Sequence, residues 1–216
     1  MPTTEHTAST TSRHHRDTNE FARMVNLSDA VFAIAMTLLV LTIDVPNVPA
    51  PELATALRED LPQLGAYALA FALVASQWHM HHKLFHRLAW IDVGMVAINL
   101  VFLGTVALVP FPTSVLGSYP TSTAAVAPFL GLFVVLNLAY LLLIMRAQAV
   151  RAWSEPLPPA VFRRVVLGSL ATIGLLALGI VVSLWLPVLA VAMAVTSSAP
   201  YVLAMRRVPA RYRAWL

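Results

Sequence analysis

The segment of residues 23–46 constrains this chain most strongly, because it is an apolar stretch of helical length with polar and ionisable residues at its start. Its uninterrupted apolar part, residues 30–43, covers only about 21 Å as a helix, short of a hydrocarbon core of roughly 30 Å. We therefore expect the helix to begin earlier and to include Ser28 and Asp29. A carboxylate at membrane depth is costly, so Asp29 marks a functional or packing-critical position. If the helix began late instead, Ser28 or Asp29 would be its N-cap.

The composition of the chain indicates an integral membrane protein. Of its 216 residues, 59% are hydrophobic and 11% are charged, against about 25% charged in soluble domains. The chain has no cysteine, which excludes disulfides, thiolate nucleophiles and cysteine-based zinc sites. It also lacks a phosphate-binding glycine loop, a nucleophile elbow and a zinc-helix motif, so we predict that it is not an enzyme and has no cofactor. Its net charge is +4, but the basic residues lie at the ends of apolar segments, which argues against a nucleic-acid partner.

Six apolar segments are each long enough to cross a bilayer, and none alternates as barrel strands do. They cover residues 23–44, 61–87, 89–109, 123–146, 161–186 and 187–205. The third is expected to stop at Pro110, and Pro200 is expected to kink the sixth. The predicted fold is therefore an all-α integral membrane protein with six transmembrane helices. A disordered tail (residues 1–20) precedes the helical domain (residues 21–207), and a short basic tail (residues 208–216) follows it.

The basic residues predict the orientation of these helices. With both termini in the cytoplasm, 13 of the 14 Lys and Arg residues fall on the cytoplasmic side and only Arg58 falls outside, as the positive-inside rule requires. The outer loop after the first helix carries four carboxylates against one guanidinium, a formal charge of −3. Such a loop concentrates cations, although an ordinary solvated loop is the simpler interpretation.

One face of the first helix is an aliphatic ladder. At about 100° per residue, Ile34, Leu38 and Leu41 fall within one stripe, Thr37 lies beside it, and Asp29 lies on the far side. Periodicity alone leaves open whether this ladder contacts lipid, a neighbouring helix or a pore.

The motif Arg-x-x-x-Leu-Ser-Asp at residues 23–29, with the apolar run after it, resembles the first helix of the transmembrane protein 175 family of potassium channels. This chain has Leu27 where the family usually has Phe, and Ala30 where Gly is common. Further similarity lies in residues of the second and third segments, namely Trp78, His81, His82, Phe85, Asp92 and Asn99.

The resemblance implies a prokaryotic, multi-pass homotetramer of the cell membrane, whose pore is lined by the first helix of each subunit. It implies a leak channel in which potassium and other monovalent cations are permeant ions, with the lipid bilayer as the remaining partner. Rings of Ile34, Leu38 and Leu41 would form a hydrophobic constriction, and Thr37 would contribute to selectivity. The sequence contains no glycine-rich carbonyl filter, which agrees with such a hydrophobic gate.

The remaining polar residues suggest a hydrogen-bonded network on the cytoplasmic side, because buried polar groups need partners. Its predicted members are Arg23, Ser28, Asp29, Trp78, His81, His82 and Asp92. The same groups allow an alternative function, a proton- or cation-coupled secondary transporter that uses Asp29, Asp92 and the His81/His82 cluster.

A histidine patch lies at the end of the second segment, where His79, His82 and His86 share a helical face. Packing at the membrane interface is the simplest interpretation, and a pH-sensitive role and a metal site are the alternatives. Without a cysteine or a nearby glutamate, we predict no metal site.

Overall fold

The computed structural model describes residues 13–206 and is helical apart from one two-stranded sheet. Residues 1–12 of the predicted N-terminal tail and the predicted tail at residues 208–216 lie outside the described part of the chain. The elements in chain order are β1 (Arg13–His15), α1 (Asn19–Leu38), α2 (Leu53–Glu59), α3 (Leu61–His86), β2 (Trp90–Asp92), α4 (Val93–Ala107), α5 (Pro110–Ser118), α6 (Thr123–Ala149), α7 (Pro159–Val182), α8 (Pro187–Val195) and α9 (Ala199–Arg206).

Helix α1 begins at Asn19, earlier than its apolar run. The Thr18 hydroxyl accepts a hydrogen bond from the Phe21 backbone N–H at 3.4 Å and forms the N-cap. The helix therefore includes Ser28 and Asp29, and neither residue is the cap. After Leu38 the chain tightens into a 3₁₀ turn, Leu39–Thr42, which extends the apolar span by four residues.

The residues just before α1 form ordered structure, where composition suggested a disordered tail. Strand β1 pairs antiparallel with β2, with Arg13 opposite Asp92. The Arg13 guanidinium lies 4.6 Å from the centre of the Trp90 ring, and the Arg16 backbone N–H donates to the Ala89 carbonyl. Strand β2, which follows α3, supplies the pairing partner of β1. The polar composition of residues 13–20 does not predict this pairing, because the partner lies far away in the sequence.

The second apolar segment is α3, which ends within one residue of the predicted boundary and has Pro62 in its first turn. The third segment differs from the prediction. Because β2 occupies its first residues, α4 begins only at Val93. Helix α4 ends at Ala107, close to the predicted stop at Pro110, and a new helix, α5, begins at Pro110 and continues to Ser118. A proline is tolerated in a first helical turn, where its missing N–H has no intrahelical partner.

The last segment is broken rather than kinked. Helix α8 ends at Val195, a non-helical stretch follows, and α9 begins at Ala199. Pro200 is the second residue of α9, so it lies just after the break, again in a first turn. Helices α6 and α7 follow the predicted fourth and fifth segments closely, with Pro128 inside the opening turns of α6.

Four stretches of the described residues are long and apolar enough to cross a bilayer. They are Asn19–Thr42, Val93–Ser118, Thr123–Ala149 and Pro159–Val182. Helix α3 has 26 residues and α8 and α9 have nine and eight, so six spans per subunit remain a prediction. The chain is an all-α, multi-pass membrane protein.

Aromatic and aliphatic side chains at the centre of the helices form the core. The largest completely buried rings are those of Phe32, Phe102, Phe129 and Phe133. Phe32 and Phe102 lie 5.8 Å apart and join α1 to α4. Helix α1 packs mainly against α3 and α4, and the side of α1 that carries Ile34 and Leu38 is exposed within the described part of the subunit.

Candidate pore-lining helix and its polar support

The aliphatic ladder of α1 is on the unpartnered side of the helix. Ile34 is 58% exposed, Leu38 42% and Leu41 74%, whereas Phe32 and Leu39 on the packed side are completely buried. The outward direction of the ladder is thus set by the fit of the opposite face against α3 and α4.

The 3₁₀ turn changes the register of the ladder. In a 3₁₀ helix, side chains three residues apart eclipse each other. The tighter turn after Leu38 therefore favours a position of Leu41 more directly above Leu38 than a continuous α-helix gives. Thr37 is exposed beside the ladder, and its hydroxyl donates to the Ile34 carbonyl at 2.8 Å. The hydroxyl oxygen therefore keeps free lone pairs on the exposed side.

A line of hydrogen bonds supports α1 from behind. The His81 Nε2–H donates to the Asn99 side-chain oxygen at 2.8 Å, and the Asn99 Nδ2 donates to the Ser28 hydroxyl at 3.0 Å. That hydroxyl donates to the Met24 carbonyl at 2.9 Å. His81, Asn99 and Ser28 are each at most 1% exposed. The line therefore joins α3, α4 and α1 through groups whose polar atoms have partners, as burial requires.

The Asp29 carboxylate has a partner of its own. The Trp78 indole Nε1–H donates to Asp29 Oδ1 at 2.9 Å, and the ring of His82 lies 5.5 Å from the Trp78 ring. This second connection between α1 and α3 is only part-buried. Four members of the predicted network are therefore linked in the structure. Asp29 binds Trp78 directly, and Ser28 is joined to His81 through Asn99.

Asp92 lies apart from this network. Its side chain is 2% exposed and accepts two hydrogen bonds from Arg146 in α6, at 2.6 and 3.1 Å, and one from the Met95 backbone N–H, at 2.8 Å. Burial raises the pKa of Asp92, but the hydrogen bonds from Arg146 and Met95 and the guanidinium charge outweigh it and hold the pKa below its ordinary value of 3.8. Asp92 therefore caps α4 and holds α6 as an ionised group.

Gly94 makes room for this ion pair. A Cβ atom at position 94 would lie 3.1 Å from Arg146 Nε, so a larger residue would press against the guanidinium group that reaches Asp92.

Arg23 lies on an exposed face of α1, away from the buried line of His81, Asn99 and Ser28.

Two residues that bind members of the predicted network were not themselves predicted to belong to it, namely Asn99 and Arg146. Asn99 is a polar residue in the middle of a very apolar segment, which is itself a signal of a buried partner. Arg146 gave no such signal, because the positive-inside rule already accounts for a cation at the cytoplasmic end of a helix.

The histidine patch does not form one cluster: His82 and His86 contact each other, whereas His79 is exposed. The rings of His82 and His86 lie 4.6 Å apart, and the Arg16 guanidinium donates to both the carbonyl and Nδ1 of His86. His79 is exposed. Among the described residues, no group of three or more His, Cys, Asp or Glu side chains is placed to hold a metal ion.

These features define a class: a multi-pass α-helical membrane protein in which the first helix has an exposed aliphatic face and a hydrogen-bonded rear face. Residues 23–110 match the profile of a family described as endosomal/lysosomal potassium channel TMEM175. Over these 88 of its 216 residues, the chain is similar to a family of channels.

Relatives agree in sequence and in fold. A potassium channel of Streptomyces collinus is 41% identical over 102 residues, 47% of this chain and 50% of that protein. A potassium channel of Chamaesiphon minutus is 34% identical over 128 residues, 56% of this chain and 63% of that protein. The crystal structure of a lysosomal potassium-selective channel TMEM175 homolog from Chamaesiphon minutus superposes with a TM-score of 0.76 at 28% identity, covering 86% of this chain and 98% of that one. The alignments to the two potassium channels thus span only about half to two thirds of those proteins.

Proposed function

We propose that this chain forms a potassium-permeable leak channel in a prokaryotic cell membrane, as a homotetramer in which α1 of each subunit lines a central pore. The observation that carries the proposal is the division of α1 into two faces. Its rear face is held by hydrogen bonds and by buried Phe32 and Leu39, while Ile34, Leu38 and Leu41 point away from the subunit. The names of the potassium channels that the chain resembles support the same function.

Symmetry is needed to complete such a pore. One subunit contributes one helix of this type, and a closed ring of identical subunits is the simplest way to surround an axis with copies of it. A rigid rear face suits this role, because the width of the pore then depends on packing within each subunit. Hydrogen bonds from Trp78 to Asp29 and from Asn99 to Ser28 fix the rotation of α1 about its own axis.

The ladder would act as the constriction. Rings of Ile34, Leu38 and Leu41 form narrow apolar layers from which water is readily expelled, so an ion crosses only when the layers widen or the ion loses part of its hydration. Thr37 adds a layer of hydroxyl oxygens between the rings of Ile34 and Leu38, and this makes it the candidate residue for selectivity among monovalent cations.

A secondary transporter is the alternative function. It would use the ionisable groups of Asp29, Asp92 and the His81/His82 cluster as carriers. The hydrogen bonds in the subunit favour the channel, because Asp29 is bound to Trp78, His81 to Asn99, and Asp92 to Arg146. Groups held in this way stabilise helix packing and are poorly placed to bind and release a substrate ion.

Ion flux of Leu38→Ala tests the proposal. We expect the wild-type protein, reconstituted in a planar bilayer with a potassium gradient, to give unitary currents, and Leu38→Ala to raise the conductance several-fold because an apolar layer is truncated. Leu178→Ala is the matched control, since Leu178 on α7 is similarly exposed, at 53%. Its conductance should equal that of the wild type.

Two results would contradict the proposal. Equal conductance of Leu38→Ala and wild type would mean that Leu38 faces lipid. Potassium flux without resolvable unitary steps, saturating at low concentration, would instead indicate the transporter. Measuring the mass of the purified complex in parallel tests the tetramer, and reversal potentials in potassium, sodium and proton gradients for Thr37→Val test the selectivity role.

A further inference from the structure

A small cavity with several polar side chains in its wall lies inside the subunit, away from α1. It has a volume of about 30 Å³, is partly open, and is lined by α3, α6, α7, α9 and the break between α8 and α9. Five of its lining side chains are polar and more than nine-tenths buried: Gln77, Asn137, Ser169, Thr172 and Ser197. Such a concentration of amides and hydroxyls is unusual in the core of a membrane protein, where polar groups are costly.

Three polar atoms in this cavity have no hydrogen-bond partner among the described protein groups. They are the Gln77 side-chain oxygen and the hydroxyls of Ser169 and Thr172. Other helical hydroxyls in this chain donate to a carbonyl of their own helix, as Thr105 does to Val101 and Thr113 does to Val109. The hydroxyls of Ser169 and Thr172 make no such bond and line the cavity instead.

The break in the last apolar segment lies at the same place. Residues 196–198 separate α8 from α9, and Ser197 and Ser198 line the cavity. A helix end leaves backbone carbonyls without intrahelical partners. At membrane depth, non-helical backbone is tolerated only where it is buried in protein or lines a hydrated space. The backbone at the break and the unpaired side chains therefore both need hydrogen-bond partners in this cavity.

We propose that the cavity is an internal hydration site, in which ordered water bridges the Gln77 oxygen to the hydroxyls of Ser169 and Thr172. The cavity volume of about 30 Å³ is large enough for a water molecule. A buried water needs a cavity volume of roughly 10–15 Å³ and two to four polar partners. The water donates to the Gln77 oxygen and exchanges hydrogen bonds with the two hydroxyls, which satisfies all three groups.

Size and charge exclude other occupants. The cavity is too small for a lipid chain or an organic ligand, and all of its lining residues are uncharged. A dehydrated cation would therefore have no counter-charge among them, which is costly at membrane depth. No lining residue belongs to α1, so this site is separate from the proposed pore face. Its role is to hold α7 against the broken last segment.

The thermal stability of Thr172→Val distinguishes a hydrated cavity from a dry one. If water bridges the hydroxyl, the variant loses a hydrogen bond and leaves the water under-coordinated, so Tm should fall by about 2–4 °C. In a dry cavity the variant would remove an unpaired buried hydroxyl, so Tm should stay the same or rise. The matched control is Thr105→Val, which removes a hydroxyl that is also buried but is bonded within its own helix. An unchanged or higher Tm for Thr172→Val, relative to this control, would overturn the proposal.

Radiolytic labelling with ¹⁸O-water reports on the cavity in the unaltered protein. Hydroxyl radicals formed from bound water oxidise the nearest side chains, and Met80 lines the cavity. We expect ¹⁸O incorporation at Met80 in lipid nanodiscs, at least several-fold above that at Met193, which is half-buried like Met80 and is not among the lining residues. The label at Met80 should be lost in Ser169→Ala/Thr172→Val. Equal labelling of the two methionines, or an anomalous rubidium peak in the cavity of a soaked crystal, would overturn the proposal.

Discussion

The indole nitrogen of Trp78 donates a hydrogen bond to the carboxylate of Asp29 across 2.9 Å, and this bond ties α3 to α1. It accounts for the acidic residue that the sequence places within the first apolar helix. A carboxylate there is tolerable because it has a fixed donor. The bond lies on the opposite side of α1 from the aliphatic ladder, so it sets the direction in which Ile34 and Leu38 point.

A double-mutant cycle on this pair should show coupling. We expect Trp78→Phe and Asp29→Ala each to lower the free energy of unfolding by about 1–3 kcal/mol, since each substitution removes one partner of the indole–carboxylate hydrogen bond. The double variant should lose less than the sum of the single losses, because both substitutions remove the same bond. Denaturant unfolding in detergent, followed by circular dichroism, measures all four corners. Strict additivity would show that the bond contributes nothing to stability.

The line of hydrogen bonds through Asn99 makes Ser28 sensitive to substitution. Ser28→Ala removes the acceptor for Asn99 Nδ2 in a completely buried place, and we expect a loss of about 1–3 kcal/mol. Ser118→Ala is the control, because the Ser118 hydroxyl is exposed and bonds only to its own helix, so its loss should be within about 0.5 kcal/mol. Thermal unfolding of the purified protein measures both. A Ser28→Ala variant as stable as Ser118→Ala would contradict the predicted role of this line.

The Asp92–Arg146 pair predicts a pH dependence of stability. Because the folded pKa of Asp92 lies below its ordinary value of 3.8, the ionised carboxylate stabilises the fold fully above that ordinary value. The stabilisation is lost as the pH falls through the lower, folded pKa. Asp92→Asn keeps an oxygen for the Met95 backbone N–H but removes the charge.

We therefore expect Asp92→Asn to lower Tm at pH 7 and the difference from wild type to shrink as the pH falls below about 4. Tm measured in steps from pH 7 to pH 3 tests this. A difference that is constant over the whole range would mean that the charge of Asp92 plays no part. Arg146→Gln should lower Tm at pH 7 in the same direction, because it removes the same pair from the other side.

The N-cap formed by Thr18 should stabilise the first turn of α1. Thr18→Ala removes the acceptor for the Phe21 backbone N–H, and we expect a loss of about 0.5–2 kcal/mol. Thr18→Ser keeps the hydroxyl and should be close to wild type. Hydrogen exchange of the first turn of α1 gives a local readout, and faster exchange confined to Thr18→Ala is the expected result. Equal exchange in both variants would show that the cap is dispensable.

Helix positions were largely predictable, because apolar runs of bilayer length have a single outcome in a membrane. The extents of α3, α6 and α7 follow the runs within a few residues. The prolines were harder to interpret. Pro110 was expected to end a helix and Pro200 to kink one. Helix α4 does end just before Pro110, but both prolines also lie in the first turn of a new helix. Sequence alone does not say whether the chain before a proline has already left the helix.

The hydrogen-bonded pairs were predictable in type but not in partner. Asp29 binds Trp78, a pairing that the sequence did not specify, and Asp92 binds Arg146, a residue 54 positions away in α6. The strand formed by Arg13–His15 is a stronger case, because its partner lies beyond three intervening α-helices and no local pattern marks it.

The amino-acid sequence by itself determined that this protein belongs in a membrane and that its first helix has one aliphatic face. Both properties follow from composition and helical period, which are local. Only the tertiary structure decided that this face points away from the subunit, that Asn99 joins His81 to Ser28, and that a polar cavity lies at the break of the last segment. Those features depend on which helices meet and at what rotation, and that choice is made by packing and by hydrogen-bond satisfaction across the whole subunit.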